Sequence, residues 1–131
     1  MRKITEIILH CTATAAGRHF TVADIDRWHR QRGFKGIGYH YVVYLDGSVH
    51  AGRREEEAGA HCLGHNARSI GVCYVGGLDA AGKPSDTRTQ AQKTALRKLV
   101  ARLKARFPGA TLHGHYEFAA KACPCFRVEE L

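Results

Sequence analysis

Three residues of this chain carry side chains suited to gripping a divalent metal and fall where a β-sheet could gather them: His10, His115 and Cys123. Imidazole nitrogens and a thiolate are the usual donors to zinc, and three protein donors leave a fourth position for water, the arrangement of a catalytic rather than a structural site. His115 and Cys123 stand eight residues apart and match no zinc-finger spacing, so spacing alone does not separate metal ligands from structural residues. The same residue types offer a second chemistry, in which Cys123 is a nucleophile paired with His115 and Pro124 takes the first position of a helix behind it. Of the nine histidines, His19, His29, His50 and His113 sit where surface or packing roles are sufficient explanations.

Converging these side chains requires strands that end near one another. Residues 4–9 are a short isoleucine-rich apolar run, too short for an independent helix, which predicts a buried strand delivering His10 at its carboxyl end. Thr21 with Asp24 forms an N-terminal helix signal, Val22, Ile25 and Trp28 share one helical face, and Gly33 suits the stop, which predicts a helix over 22–32. Residues 39–45 are aromatic and β-branched, and Asp46-Gly47 reads as a two-residue type I′ turn returning through 48–51. A loop over about 58–68 leads into a second buried strand at 69–75. Thr89 with Gln92 caps a helix whose apolar residues Leu96, Leu99, Val100, Leu103 and Phe107 repeat at helical spacing until Pro108-Gly109. A last strand over 111–115 precedes the loop holding Lys121, Cys123 and Cys125. This order predicts an α/β fold, one domain over residues 1–131 with a mixed central β-sheet flanked by helices.

A chain of 131 residues supports one core and not two. Twenty Lys and Arg against twelve Asp and Glu leave a net charge of +8, which favours anionic partners without choosing among them. Six of the basic residues lie between Lys93 and Arg106, where a solvated helix face accounts for them. Glu6 and His10 interrupt the apolar run at the amino terminus, so neither a signal peptide nor a membrane span is expected, and the protein is expected to be made in the cytoplasm. Five cysteines without a secretion signal argue for thiol or metal chemistry over a disulfide framework.

Five stretches resemble the phage lysozyme-type N-acetylmuramoyl-L-alanine amidases, in the same order and at similar separations: ILHCTAT at 8–14, GYHY at 38–41, DGSVHAGR at 46–53, SIGVCYVGG at 69–77 and HYEFAAKACP at 115–124. The resemblance covers nearly the whole chain. It implies the fold shared with peptidoglycan recognition proteins, a Zn2+ ion held by His10, His115 and Cys123, and hydrolysis of the amide bond between N-acetylmuramic acid and L-alanine in peptidoglycan. It further implies catalytic roles for Tyr39, to orient water or move its proton, and for Lys121, to stabilise the oxyanion. His61 and Asn66 match positions beside the substrate cleft. Cys125, one residue past Pro124, leaves the choice of thiol ligand open, with the register favouring Cys123.

Two other readings accompany this one: the cysteine hydrolase above, and a module that binds peptidoglycan without cutting it, against which Cys123 and Lys121 argue. The resemblance implies a phage or prophage endolysin that reaches the cell wall after release, working as a monomer without a membrane partner. RNA polymerase enters as a partner by family analogy only, and the sequence lacks the motifs of a nucleic-acid-binding protein.

Overall fold

The computed structural model describes residues 2–131; Met1, where the expected domain and its amino-terminal segment begin, lies outside the described residues. Strand β1 (Glu6–Cys11) is an interior strand of the sheet, with five of its six residues buried. It pairs in parallel with β5 (Ser69–Tyr74) on one side and with β7 (Thr111–Gly114) on the other. Outside β5 lie β3 (Tyr41–Val43), parallel to it, and β4 (Val49–Ala51), antiparallel to β3, giving the order β4-β3-β5-β1-β7. A two-stranded ribbon of β2 (Thr14–Ala15) and β6 (Gly77–Leu78) extends the β1 and β5 ends, and the sequence carries no separate signal for it.

Helices cover both faces, which is what a mostly parallel sheet requires because both of its sides must be buried. Helix α1 (Val22–Gln31) starts on a full capping box between Thr21 and Asp24, and its Ile25 packs with Ile37, Val42 and Val75. Helix α2 (Gln90–Arg106) starts on the Thr89 and Gln92 box and lays Leu96, Leu99, Val100 and Leu103 against Ile7, Leu9, Ile70, Val72 and Tyr74. Gln92 is fully buried because its amide donates to the Val43 and Val75 carbonyls at the end of the sheet.

The expected α/β architecture is present, with three local differences. β1 continues through His10 to Cys11, since its ladder with β5 runs to Tyr74, so His10 lies within the strand rather than beyond it. The hairpin turn is not type I′: the Gly47 N–H donates to the Tyr44 carbonyl and Tyr44 pairs with Ser48, leaving a three-residue loop. Only Gly47 takes a positive φ there, 85°, while type I′ needs one at Asp46 as well. Asp46 instead accepts hydrogen bonds from the backbone and hydroxyl of Ser48. Finally, β7 stops at Gly114, and His115–Glu117 coil into a single 3-10 turn.

Candidate metal centre and its groove

The alternation of β1 places Ile7, Leu9 and Cys11 toward α2 and therefore His10 toward the opposite face. Leu9 pairs with Gly114 of β7, so the first residue beyond that ladder, His115, emerges beside His10, and the two rings stand 4.6 Å apart. Cys123 returns to the same point on a loop tied down at several atoms. The Tyr116 N–H donates to the Cys123 carbonyl at 3.0 Å, the Tyr74 hydroxyl to the Pro124 carbonyl at 2.7 Å, and the Cys11 N–H to the Cys123 Sγ at 3.2 Å. The ligand atoms of His10, His115 and Cys123 consequently lie within 4.8 Å of one another, with Cys123 Sγ 3.8 Å from His10 Nδ1.

Burial holds the His10 imidazole well below its ordinary pKa, and burial followed by the nearby Lys121 cation lowers His115 too. Neutral rings keep a lone pair for a metal, which is the protonation state ligation needs. Cys125 is not part of the group: its Sγ lies 3.7 Å from that of Cys11, and burial raises its thiol to about 12. Residues after Cys123 form a turn rather than a helix, so the helix N-terminus expected to activate a Cys123 nucleophile is not there.

Tyr39 stands at the entry to β3 with its ring 5.1 Å from that of His10, and burial pushes its phenol well above the ordinary value. It is therefore a neutral hydroxyl. His29, expected from the sequence to serve packing, lies against Tyr39 with ring centres 5.2 Å apart and accepts the Gly38 N–H at 2.8 Å, which fixes the backbone entering Tyr39. Lys121 is exposed on the loop before Cys123. Beside the metal group runs a groove of about 500 Å³ lined by Arg32, Phe34, His61, Asn66, His115 and Lys121 among others. Among the described residues that line it there is no Asp or Glu.

His61 and Asn66 reach the groove from the loop between β4 and β5. Asn66 Oδ1 accepts the backbone N–H groups of both His61 and Cys62, and Arg2 clamps the same loop by donating to the carbonyls of Glu55, Asn66 and Ser69. Sequence reasoning misses the small side chains that β5 turns toward the site. The signal lies in Ser69–Tyr74, where Ser, Gly and Cys alternate with Ile, Val and Tyr.

The profile of the N-acetylmuramoyl-L-alanine amidase family (Amidase_2) matches residues 1–126, and the chain belongs to that family. An endolysin of Escherichia phage T7 is 45% identical over 94% of this chain and 82% of its own length, and an endolysin of Klebsiella phage KP32 is 43% identical over 98% and 85%. Among solved structures, the N-acetylmuramoyl-L-alanine amidase LysC from Clostridium intestinale superposes with a TM-score of 0.82 at 31% identity, covering 94% of this chain and 77% of LysC. Drosophila PGRP-LB superposes with a TM-score of 0.80 at 23% identity, covering 95% of this chain and 76% of its own, a likeness of fold.

Proposed function

We propose that this protein is a zinc-dependent N-acetylmuramoyl-L-alanine amidase of the endolysin kind, cutting the amide between N-acetylmuramic acid and L-alanine in bacterial peptidoglycan. One observation carries the reading: in a chain of the amidase family, two imidazoles and a thiol meet within 4.8 Å beside an open groove. The donor set fits zinc, being two nitrogens and one sulfur with no competing carboxylate, and it leaves room for a substrate-side position. No helix among the described residues is long and apolar enough to cross a membrane.

His10, His115 and Cys123 would hold the ion. Zinc, when bound, supplies a Lewis acid for the scissile carbonyl and acidifies the attacking water. Lys121 lines the groove with His115, close enough for its cation to lower the His115 pKa, and from there would stabilise negative charge growing on the carbonyl oxygen. Tyr39 keeps its hydroxyl proton and so donates to an oxygen at the reacting carbon or orients the incoming water. His61 and Asn66 form part of the groove wall that a substrate would meet. A glycosidase would need two carboxylates flanking its bond, and those on the elements that carry His10 and His115 are engaged elsewhere: Glu117 pairs with His113 at 2.8 Å and Glu6 with His65 at 2.9 Å.

Digestion of purified peptidoglycan tests both halves of the reading. New alanine amino termini should appear without new reducing sugar ends, the reaction should stop with a chelator and resume with zinc, and metal analysis should find about one zinc per chain. Reducing ends without free amino groups would show that the wrong bond has been assigned. Full activity in a chelator, with loss on thiol alkylation, would replace zinc by a Cys123 nucleophile.

A further inference from the structure

We infer that His61 is a positioning residue that selects, through its own ring, which nitrogen of His10 is presented to the metal; the inference rests on the zinc reading above. His10 has its Nδ1 on the side of Cys123 Sγ, at 3.8 Å, and its Nε2 against His61 Nδ1, at 2.8 Å. A metal shared with Cys123 must therefore take the Nδ1 lone pair, which leaves the ring proton on Nε2. That proton is donated to His61 Nδ1. His61 then carries its own proton on Nε2, which lies 3.2 Å from Ser69 Oγ. The His10 and His61 donors both point toward Ser69, and reversing the chain would put a proton on His10 Nδ1 and block ligation.

The packing around the contact leaves room for it at two glycines. The two rings meet edge-on, with centres 4.8 Å apart and planes at 89°. A side-chain carbon at Gly71 would sit 2.7 Å from the His61 ring and one at Gly59 2.5 Å, so both glycines provide space for the imidazole. Asn66 fixes the backbone behind it. His61 is 9% exposed and both its nitrogens have protein partners, so its polar atoms are committed to His10 and Ser69 even though the ring borders the groove. Partners of this kind orient a ligating imidazole and strengthen it as a donor.

Zinc affinity, read by competition with a chromophoric chelator, tests the inference on the full chain in its wild-type, His61→Ala and His61→Asn forms. His61→Ala should bind zinc about 10- to 100-fold more weakly. His61→Asn, whose Oδ1 can accept the same proton at the position of Nδ1, should recover most of the loss. Long-range proton–nitrogen spectra of the zinc-loaded wild type should show His10 protonated on Nε2. A His61→Ala protein that binds zinc as tightly as wild type, or a loaded His10 protonated on Nδ1, overturns the inference while leaving the zinc reading intact. A wild type that binds no zinc removes the zinc reading itself. If His61→Ala does not fold, the asparagine variant and the wild-type spectrum decide.

Discussion

The two faces of the central sheet are made by the same strands and do opposite work. Toward α2, Ile7, Leu9, Ile70, Val72 and Tyr74 meet Leu96, Leu99 and Leu103 in a core in which each is buried. Toward the other side, past the smaller apolar cluster of Ile25, Ile37, Val42 and Val75, His10 in β1 and Ser69, Gly71 and Cys73 in β5 surround the site with rings and hydrogen bonds in place of hydrocarbon. A strand period of two is what permits this division. The apolar face supplies stability by exclusion of water, and the polar face gives some of it up: His10 and His40 are each 1% exposed, and a buried polar ring is tolerable only when its nitrogens are partnered.

If the division is real, substitutions on the two faces should fail in different ways. On the site face, His10→Ala, His115→Ala and Cys123→Ala should each lose zinc and nearly all activity, a drop of about a thousandfold or more, because two ligands hold the metal poorly. Metal analysis of the purified variants checks this, and full occupancy in all three would remove the site. On the α2 face, Leu99→Ala should cost about 2–5 kcal/mol of stability through the cavity it leaves. Its zinc content and turnover per folded molecule should match wild type, as urea titration and rates below the transition would show.

Much of that contrast is legible in the sequence, and how much depends on the kind of signal each face leaves there. The α2 core repeats Leu96, Leu99, Val100 and Leu103 at helical spacing, a local pattern that names its own buried side. Thr21, Asp24, Thr89 and Gln92 likewise mark helix starts with side chains that bond within three residues. The site has no such local rule. His10, His115 and Cys123 meet through the register of β1 with β7 and a loop anchored on Tyr74 and Cys11, and in the sequence only the family resemblance links them. The pairing of His61 with His10 is not legible at all, because it depends on Gly59 and Gly71 leaving space that a sequence records only as missing side chains. Asp46-Gly47 misleads for a related reason: the dipeptide suits two loop lengths, and the Tyr44 and Ser48 pairing selects the longer.

Within the site face, residues that hold the metal should separate from residues that act on substrate. Tyr39→Phe and Lys121→Ala should keep zinc and fold while turnover on purified peptidoglycan falls by about a hundredfold. Wild-type rates would take both off the catalytic list. Cys125→Ser should retain most zinc and activity, since that thiol lies beside Cys11 rather than among the three donors. Loss of both, with Cys123→Ser unaffected, would transfer the ligand role to Cys125.

The smallest expected effect is a dependence of stability on pH, and it comes from a histidine of the polar face that is not among the three candidate donors. His40 accepts the Gly71 N–H at Nδ1, 3.0 Å away, which leaves its proton on Nε2 for the Glu57 carbonyl at 2.9 Å. A second proton would have to enter at Nδ1, against a donor already pointing there. Burial is the main reason its pKa lies below the ordinary 6.5, and the Arg2 and Arg53 cations push the same way against the Glu57 carbonyl and the Glu55 carboxylate. The folded protein therefore keeps His40 neutral at a pH where the unfolded chain already binds a proton. By linkage, this contribution to stability is complete above about pH 6.5 and is lost as the pH falls from there toward the lower folded-state value. His40→Gln should lower stability near pH 7 by about 1–3 kcal/mol for the disrupted bonds, yet its disadvantage relative to wild type should shrink as the medium is acidified. Urea unfolding of both proteins in excess chelator between about pH 5 and 8, compared at each pH so that the other histidines cancel, measures this. A difference that stays constant across the range would mean that His40 does not carry the acid sensitivity of the polar face.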